Sequence, residues 1–210
     1  MHKTGTRFLA ALAVGALCAF AAPVSAQAWH YPAMQPASLE PKEINVMIAG
    51  FGGDYGESFI GQYRFTADKR TQVWFDVGLS TPTSTTLFDI GAAGGWMIME
   101  PTAEKPIDLM VTAGVYAAVG DGTLWRIPIG LNVGHTWILD NKHALKGFAF
   151  PRASIDFCSG CDTKVNLNFD LGASYDITTA MSARAAFTFG AVGDGSSDTG
   201  FGVSLAFKTK

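Results

Sequence analysis

Apolar and polar positions alternate along most of this chain. In TLWRIPIGLNVGHTWIL, residues 123–139, Trp125, Ile127, Ile129, Leu131 and Val133 take every second place, with Arg126, Pro128, Gly130, Asn132 and Gly134 between them. A period of two sends successive side chains to opposite faces of a strand. Segments of this kind recur at about 44–52, 58–67, 71–80, 85–98, 106–119, 123–138, 144–157, 163–175, 179–190 and 199–208. Between them lie GGDYGE, ADKR, STPTS, EPTAEK, GDG, LDNK, CSGCD, DITT and GDGSSD, dense in the residues that turns require. The pattern predicts an all-β, up-and-down antiparallel barrel of about ten strands, or eight if the weakly alternating SFIGQYRFTA is not one.

The two faces differ sharply. One carries Val73, Phe75, Val77, Leu79, Phe88, Ile90, Ile98, Val111, Val115, Val165, Leu167, Phe169, Leu171, Phe187, Val203 and Leu205 with no full charge. Every strand-interior charge falls on the other: Arg64, Asp76, Asp89, Asp108, Arg126, Lys146, Arg152, Asp156, Lys164, Asp170 and Arg184, six basic and five acidic. A soluble lipocalin-like barrel would turn the apolar face inward around a ligand, whereas a transmembrane barrel turns it to lipid and hides the polar one. The wetted wall of a soluble barrel should be rich in Lys and Glu. Here the glutamates after the leader, Glu43, Glu57, Glu100 and Glu104, fall at strand ends or in turns, which favours the membrane. Aromatic residues sit where an interfacial girdle would: Trp96, Trp125, Trp137, Tyr175 and Phe207. The span from Trp125 to Trp137, at ~3.3 Å per residue and a tilt near ~40°, gives roughly 30 Å of height. The charged lumen then has two readings, a salt-bridged plug holding strands together or a polar path for small solutes, and charges there must pair or meet water.

Other features bound the rest. Residues 1–26 have the form of a secretory signal peptide: Lys3 and Arg7, the apolar run FLAALAVGALCAFAA, then Val24-Ser25-Ala26, with cleavage after Ala26 or Ala28. Residues 27–42, QAWHYPAMQPASLEPK, are Pro-rich and aperiodic and read as a flexible periplasmic leader before a barrel domain at 43–210. The 210 residues carry a net charge of −3 with only 16% charged, so nucleic acid is not an expected partner. After the signal no long apolar run remains, and membrane insertion must use strands.

The fragments IPIGLNVGHTW, FAFPRASIDF, FDLGASYDITTAMSARAAFTFG and GFGVSLAFK resemble strands and the closing hairpin of small bacterial outer-membrane β-barrel proteins. The resemblance implies an outer-membrane location, a periplasmic amino terminus, and outer-membrane lipids and the insertion machinery as partners. Such barrels usually finish on an aromatic residue, whereas here Phe207 is followed by Lys208-Thr209-Lys210. That departure keeps a periplasmic or secreted carrier open.

Catalytic and metal signals are weak. His135 is expected on the apolar face, His143 in a turn and His30 in the leader, none outside beside an acid pair as in outer-membrane proteases, and a lipid-modifying outer-membrane enzyme, which would use His and Ser, is only a third reading. No enzyme activity, cofactor or metal is expected. Cys158-Ser159-Gly160-Cys161 tops a hairpin and, after export, reads as a local disulfide between Cys158 and Cys161. Gly120-Asp121-Gly122 and Gly193-Asp194-Gly195 read as hairpin turns.

Overall fold

The computed structural model describes residues 35–50, 57–81, 86–158, 162–192 and 197–209. The strands are β1 (Lys42–Ala49), β2 (Ser58–Thr66), β3 (Thr71–Ser80), β4 (Leu87–Met99), β5 (Asp108–Val119), β6 (Thr123–Ile138), β7 (Ala144–Cys158), β8 (Lys164–Asp176), β9 (Met181–Val192) and β10 (Ser197–Lys208). Each pairs antiparallel with the next, and β1 pairs with β10 from Glu43↔Lys208 to Ala49↔Gly202, closing the barrel. The weak segment SFIGQYRFT is a full member, paired with β1 and with β3 along its whole length. Ten strands, not eight, therefore complete the ring. Closure leaves none of the described strands with a free edge. The signal segment 1–26 lies outside the described residues.

Burial follows the period of two, inverted relative to a soluble protein. In β1 the alternation is strict, with Ile44, Val46 and Ile48 exposed and Glu43, Asn45 and Met47 buried. Around the ring Ile129 is 58% exposed and Leu167 59%, while Asn132, Asp170 and Thr188 are 0% exposed. A lipocalin-like carrier needs its apolar face inside; here that face is the outer wall.

Inside, glycines make room for large neighbours. A Cβ on Gly91 of β4 would lie 1.9 Å from the ring of Tyr116, its register partner on β5. One on Gly172 of β8 would lie 2.2 Å from the ring of Phe148, its partner on β7. Alternating a missing side chain with a ring lets the narrow interior fill without overlap.

The segment before β1 departs from expectation. Residues 35–40 are not a flexible linker but lie inside the barrel, with Gln35, Ala37 and Glu40 buried and Pro41 exposed at the rim. The Ala37 methyl packs 3.3 Å from where a Cβ on Gly134 would stand. A Pro-rich stretch suits this position, because most of its backbone groups bond to wall side chains, with a single backbone bond to β2, from Thr66 N to the Pro41 carbonyl.

Candidate functional site in the lumen

Three groups of side chains fill the lumen; "lower" denotes the end at Lys42 and "upper" the end at Ala49. At the lower end the inserted segment meets the wall. Asn132 Nδ2 donates to the Gln35 carbonyl at 2.8 Å, and Gln62 Nε2 to Gln35 Oε1 at 3.0 Å. Arg64 Nη2 donates to the carbonyls of Pro36, at 3.2 Å, and Ser38. Gln72 grips Glu40 twice, accepting from its backbone N at 3.0 Å and donating to its carbonyl at 2.8 Å. The Glu40 carboxylate meets Lys146 Nζ at 2.7 Å and Lys208 Nζ at 3.5 Å. Burial pushes the Glu40 pKa up, but Lys146, with Lys208 and Arg64, outweighs it and holds the carboxyl at about 2.

Beside this segment Arg184 of β9 makes a bidentate pair with Glu43 of β1, one contact at 2.8 Å, with both side chains essentially inaccessible. Fork-to-carboxylate geometry is the strong form of an ion pair. In the middle, Trp74 Nε1 donates to Tyr116 Oη at 3.0 Å and Gln62 Nε2 to Asp76 at 2.8 Å. A cavity of about 50 Å³ remains there, bounded by Gln35, Trp74, Asp76, Tyr116, Arg126 and Arg152 among others. That volume suits a few waters, each needing roughly 10–15 Å³. Toward the upper end Arg126 forks onto Asp156, its Nε at 2.7 Å, and Asn166 donates to the same carboxylate at 2.6 Å. Arg152 lies 3.1 Å from Asp170, and Ser80 donates to Asp89.

Of the eleven charges expected inside, ten line the interior. Lys164 does not: it is exposed at the upper rim opposite Asp156, because β8 begins there and its long stem reaches solvent. Two carboxylates that sequence reasoning missed, Glu40 and Glu43, are buried in the lumen. The parity of Ile44, Val46 and Ile48 already set Glu43 on the face of Asn45 and Met47. Glu40 lay in a stretch with no period to read.

Several buried polar atoms find no hydrogen-bond partner among the described residues: both amide atoms of Asn45, Nε and Nη1 of Arg64, and the hydroxyls of Ser154, Thr188 and Ser204. Groups of this kind are tolerable only when wetted.

The expected girdle residues lie on the outer wall: Trp96, Trp137, Tyr175 and Phe207 toward the lower end, Trp125 toward the upper. His135 also points outward, against the Pro106 carbonyl and 4.3 Å from the Trp137 ring. Cys158 is disulfide-bonded, and Cys161 lies outside the described residues. Among the described residues no group of three or more His, Cys, Asp or Glu is placed to hold a metal.

An inverted, closed, ten-stranded antiparallel ring with a polar interior is the architecture of outer-membrane barrels. No protein-family model matches the chain, nor does any curated protein. Solved structures match in fold. A bacterial polysaccharide outer membrane secretin is 11% identical with a TM-score of 0.50, over 74% of this chain and 57% of its own, so this chain spans little more than half of that protein. The β domain of the Bordetella autotransporter Brka is 9% identical with a TM-score of 0.54, over 82% of this chain and 100% of its own. The likeness is one of fold alone.

Proposed function

We propose that this chain is a non-enzymatic, structural barrel of the bacterial outer membrane whose lumen is closed to solutes at rest. The observation that carries this reading is the segment 35–40 lying inside the ring, with Glu40 bound to Lys146 and its backbone held by Asn132, Arg64 and Gln72. The apolar outer wall supports contact with outer-membrane lipids, and strand insertion would use the cell's barrel-insertion machinery. With the amino-terminal end periplasmic, the lower end faces the periplasm. His135 stands on the lipid side with Nδ1 against the Pro106 carbonyl, a placement that supports the non-enzymatic reading.

A second reading, a narrow conduit for small polar solutes, is favoured by the unpartnered polar atoms and the 50 Å³ cavity along the axis. Purified protein in planar bilayers separates the two. Silence under steady voltage is expected for the closed barrel, and a stable wild-type conductance would replace it with the conduit. Lipid A turnover that disappears in His135→Ala would overturn the non-enzyme reading.

A further inference from the structure

The periplasmic mouth is built for an anion, and the chain supplies one itself. Arg64, Lys146 and Lys208 converge on the region of Glu40, whose carboxylate is bound by Lys146 at 2.7 Å and Lys208 at 3.5 Å. Neighbouring Glu43 is shared between Arg184, which it binds directly, and Arg64, its register partner, so Glu40 is the carboxylate bound directly to both lysines. Arg64 is fully buried, yet its Nε and Nη1 find no acceptor among the described residues. A buried guanidinium with idle donors is a strong oxyanion binder in search of oxygen.

The segment that carries Glu40 is not part of the sheet. Many of its wall contacts are polar, namely Asn132 and Gln62 on Gln35, Arg64 on two carbonyls, Gln72 and Thr66 on Glu40, beside a small apolar cluster of Ala37 and Leu39 with Met97 and Met110. Polar contacts of this kind exchange with water at modest net cost. Four cations, Arg64, Lys146, Arg184 and Lys208, here face four carboxylates, Glu40, Glu43, Asp108 and Asp176. Withdrawing Glu40 leaves one cation in excess, and a passage so charged favours anions.

We infer that Arg64, Lys146 and Lys208 form a site for a small oxyanion, carboxylate or phosphate, that Glu40 fills as a tethered stand-in. Displacement of Gln35–Pro41 from it clears the lower lumen, and with the side chains of the middle and upper groups parting above it an anion-selective passage results. The inference rests on the barrel being closed at rest.

Planar-bilayer recording of the full chain tests it with three variants. Glu40→Gln removes the stand-in charge, and excision of residues 35–40 removes the segment. The third is Glu40→Gln combined with Ala37→Cys and Gly134→Cys, positions 3.3 Å apart at Cβ and near the ~3.5–4.5 Å that a disulfide bridges. Glu40→Gln and the excision should each conduct at least tenfold above wild type, with a reversal potential in a KCl gradient displaced toward that of chloride. Millimolar inorganic phosphate should block that current. The oxidised double-cysteine form should be silent and regain current on reduction, with Glu40→Gln alone under the same reductant as control. Silence of the excised barrel would overturn the stopper and leave the closed structural reading standing. A cation-preferring current, or one indifferent to phosphate, would overturn the oxyanion site. Conduction through the oxidised, locked form would instead defeat the closed-barrel reading.

Discussion

Arg184 on β9 reaches across β10 to Glu43 on β1, binding its carboxylate with Nη1 at 2.8 Å and with Nη2. The two residues are 141 positions apart in sequence, and the strand they straddle is the one whose pairing with β1 completes the ring. The pair therefore ties three strands at the closing seam. Breaking a buried pair by removing one partner typically costs about 3–5 kcal/mol, and Arg64, the register partner of Glu43, makes up part of that loss when Arg184 is removed. Arg184→Ala should lower the temperature at which the folded gel form converts to the unfolded one, whereas Arg184→Met with Glu43→Leu should recover most of it. A single variant as stable as wild type would mean that the seam does not depend on this pair.

The latch at Glu40 has a defined pH window. Its carboxyl, ordinarily near 4.5, is held at about 2 by Lys146 and its neighbours against burial. A folded value below the unfolded one means the contribution is complete above the unfolded value and disappears as pH falls through the folded one. Urea titrations in liposomes should show wild type more stable than Glu40→Gln at pH 7, a shrinking gap below pH 4.5, and none below about pH 2. A gap that stays constant across this range would show that the ion pair is not its source.

Gly91 and Tyr116 must be read together. The Tyr116 ring covers Gly91 so closely that a Cβ there would stand 1.9 Å from it. Gly91→Ala should cost about 1–3 kcal/mol through overpacking. Tyr116→Leu in the same chain should restore part of that loss, giving a positive coupling in a double-mutant cycle. Additive effects would contradict the contact.

Adjacent residues on one strand should answer oppositely to charge. Leu131 is on the outer wall and Asn132, next to it, is fully buried in the lumen. An arginine at the lipid midplane costs about 2–4 kcal/mol. Leu131→Arg should lose on that order in unfolding experiments in lipid, and an unaffected Leu131→Arg would place that side chain in water.

Alternation carried most of the fold because a barrel wall is a two-faced surface: a strand that meets hydrocarbon on one side and the lumen on the other must write that difference at every second residue. The charges of β3 to β9 were therefore legible, Asp170 and Arg126 among them. Parity fails where the interior itself is greasy. Trp74, Phe148 and Phe150 point inward with the charges, since a ten-stranded ring is narrow enough to be packed by side chains. It fails also where no strand exists. Gln35–Pro41 has neither period nor charge run, and its place is set by donors that fold in from distant strands, such as Asn132 and Lys146. Lys164 obeyed the parity but lay beyond the buried zone.

Nitroxide labels placed singly at Leu131, Phe169 and Val203, and at Asn132, Asp170 and Thr188, measure directly which side of the wall touches lipid. In proteoliposomes the first three should relax readily with dissolved oxygen and poorly with a water-soluble nickel complex, while the second three respond weakly to oxygen. Strong nickel contact at Leu131, Phe169 and Val203, with oxygen-rich surroundings at Asn132, Asp170 and Thr188, would mean that the wall faces the other way.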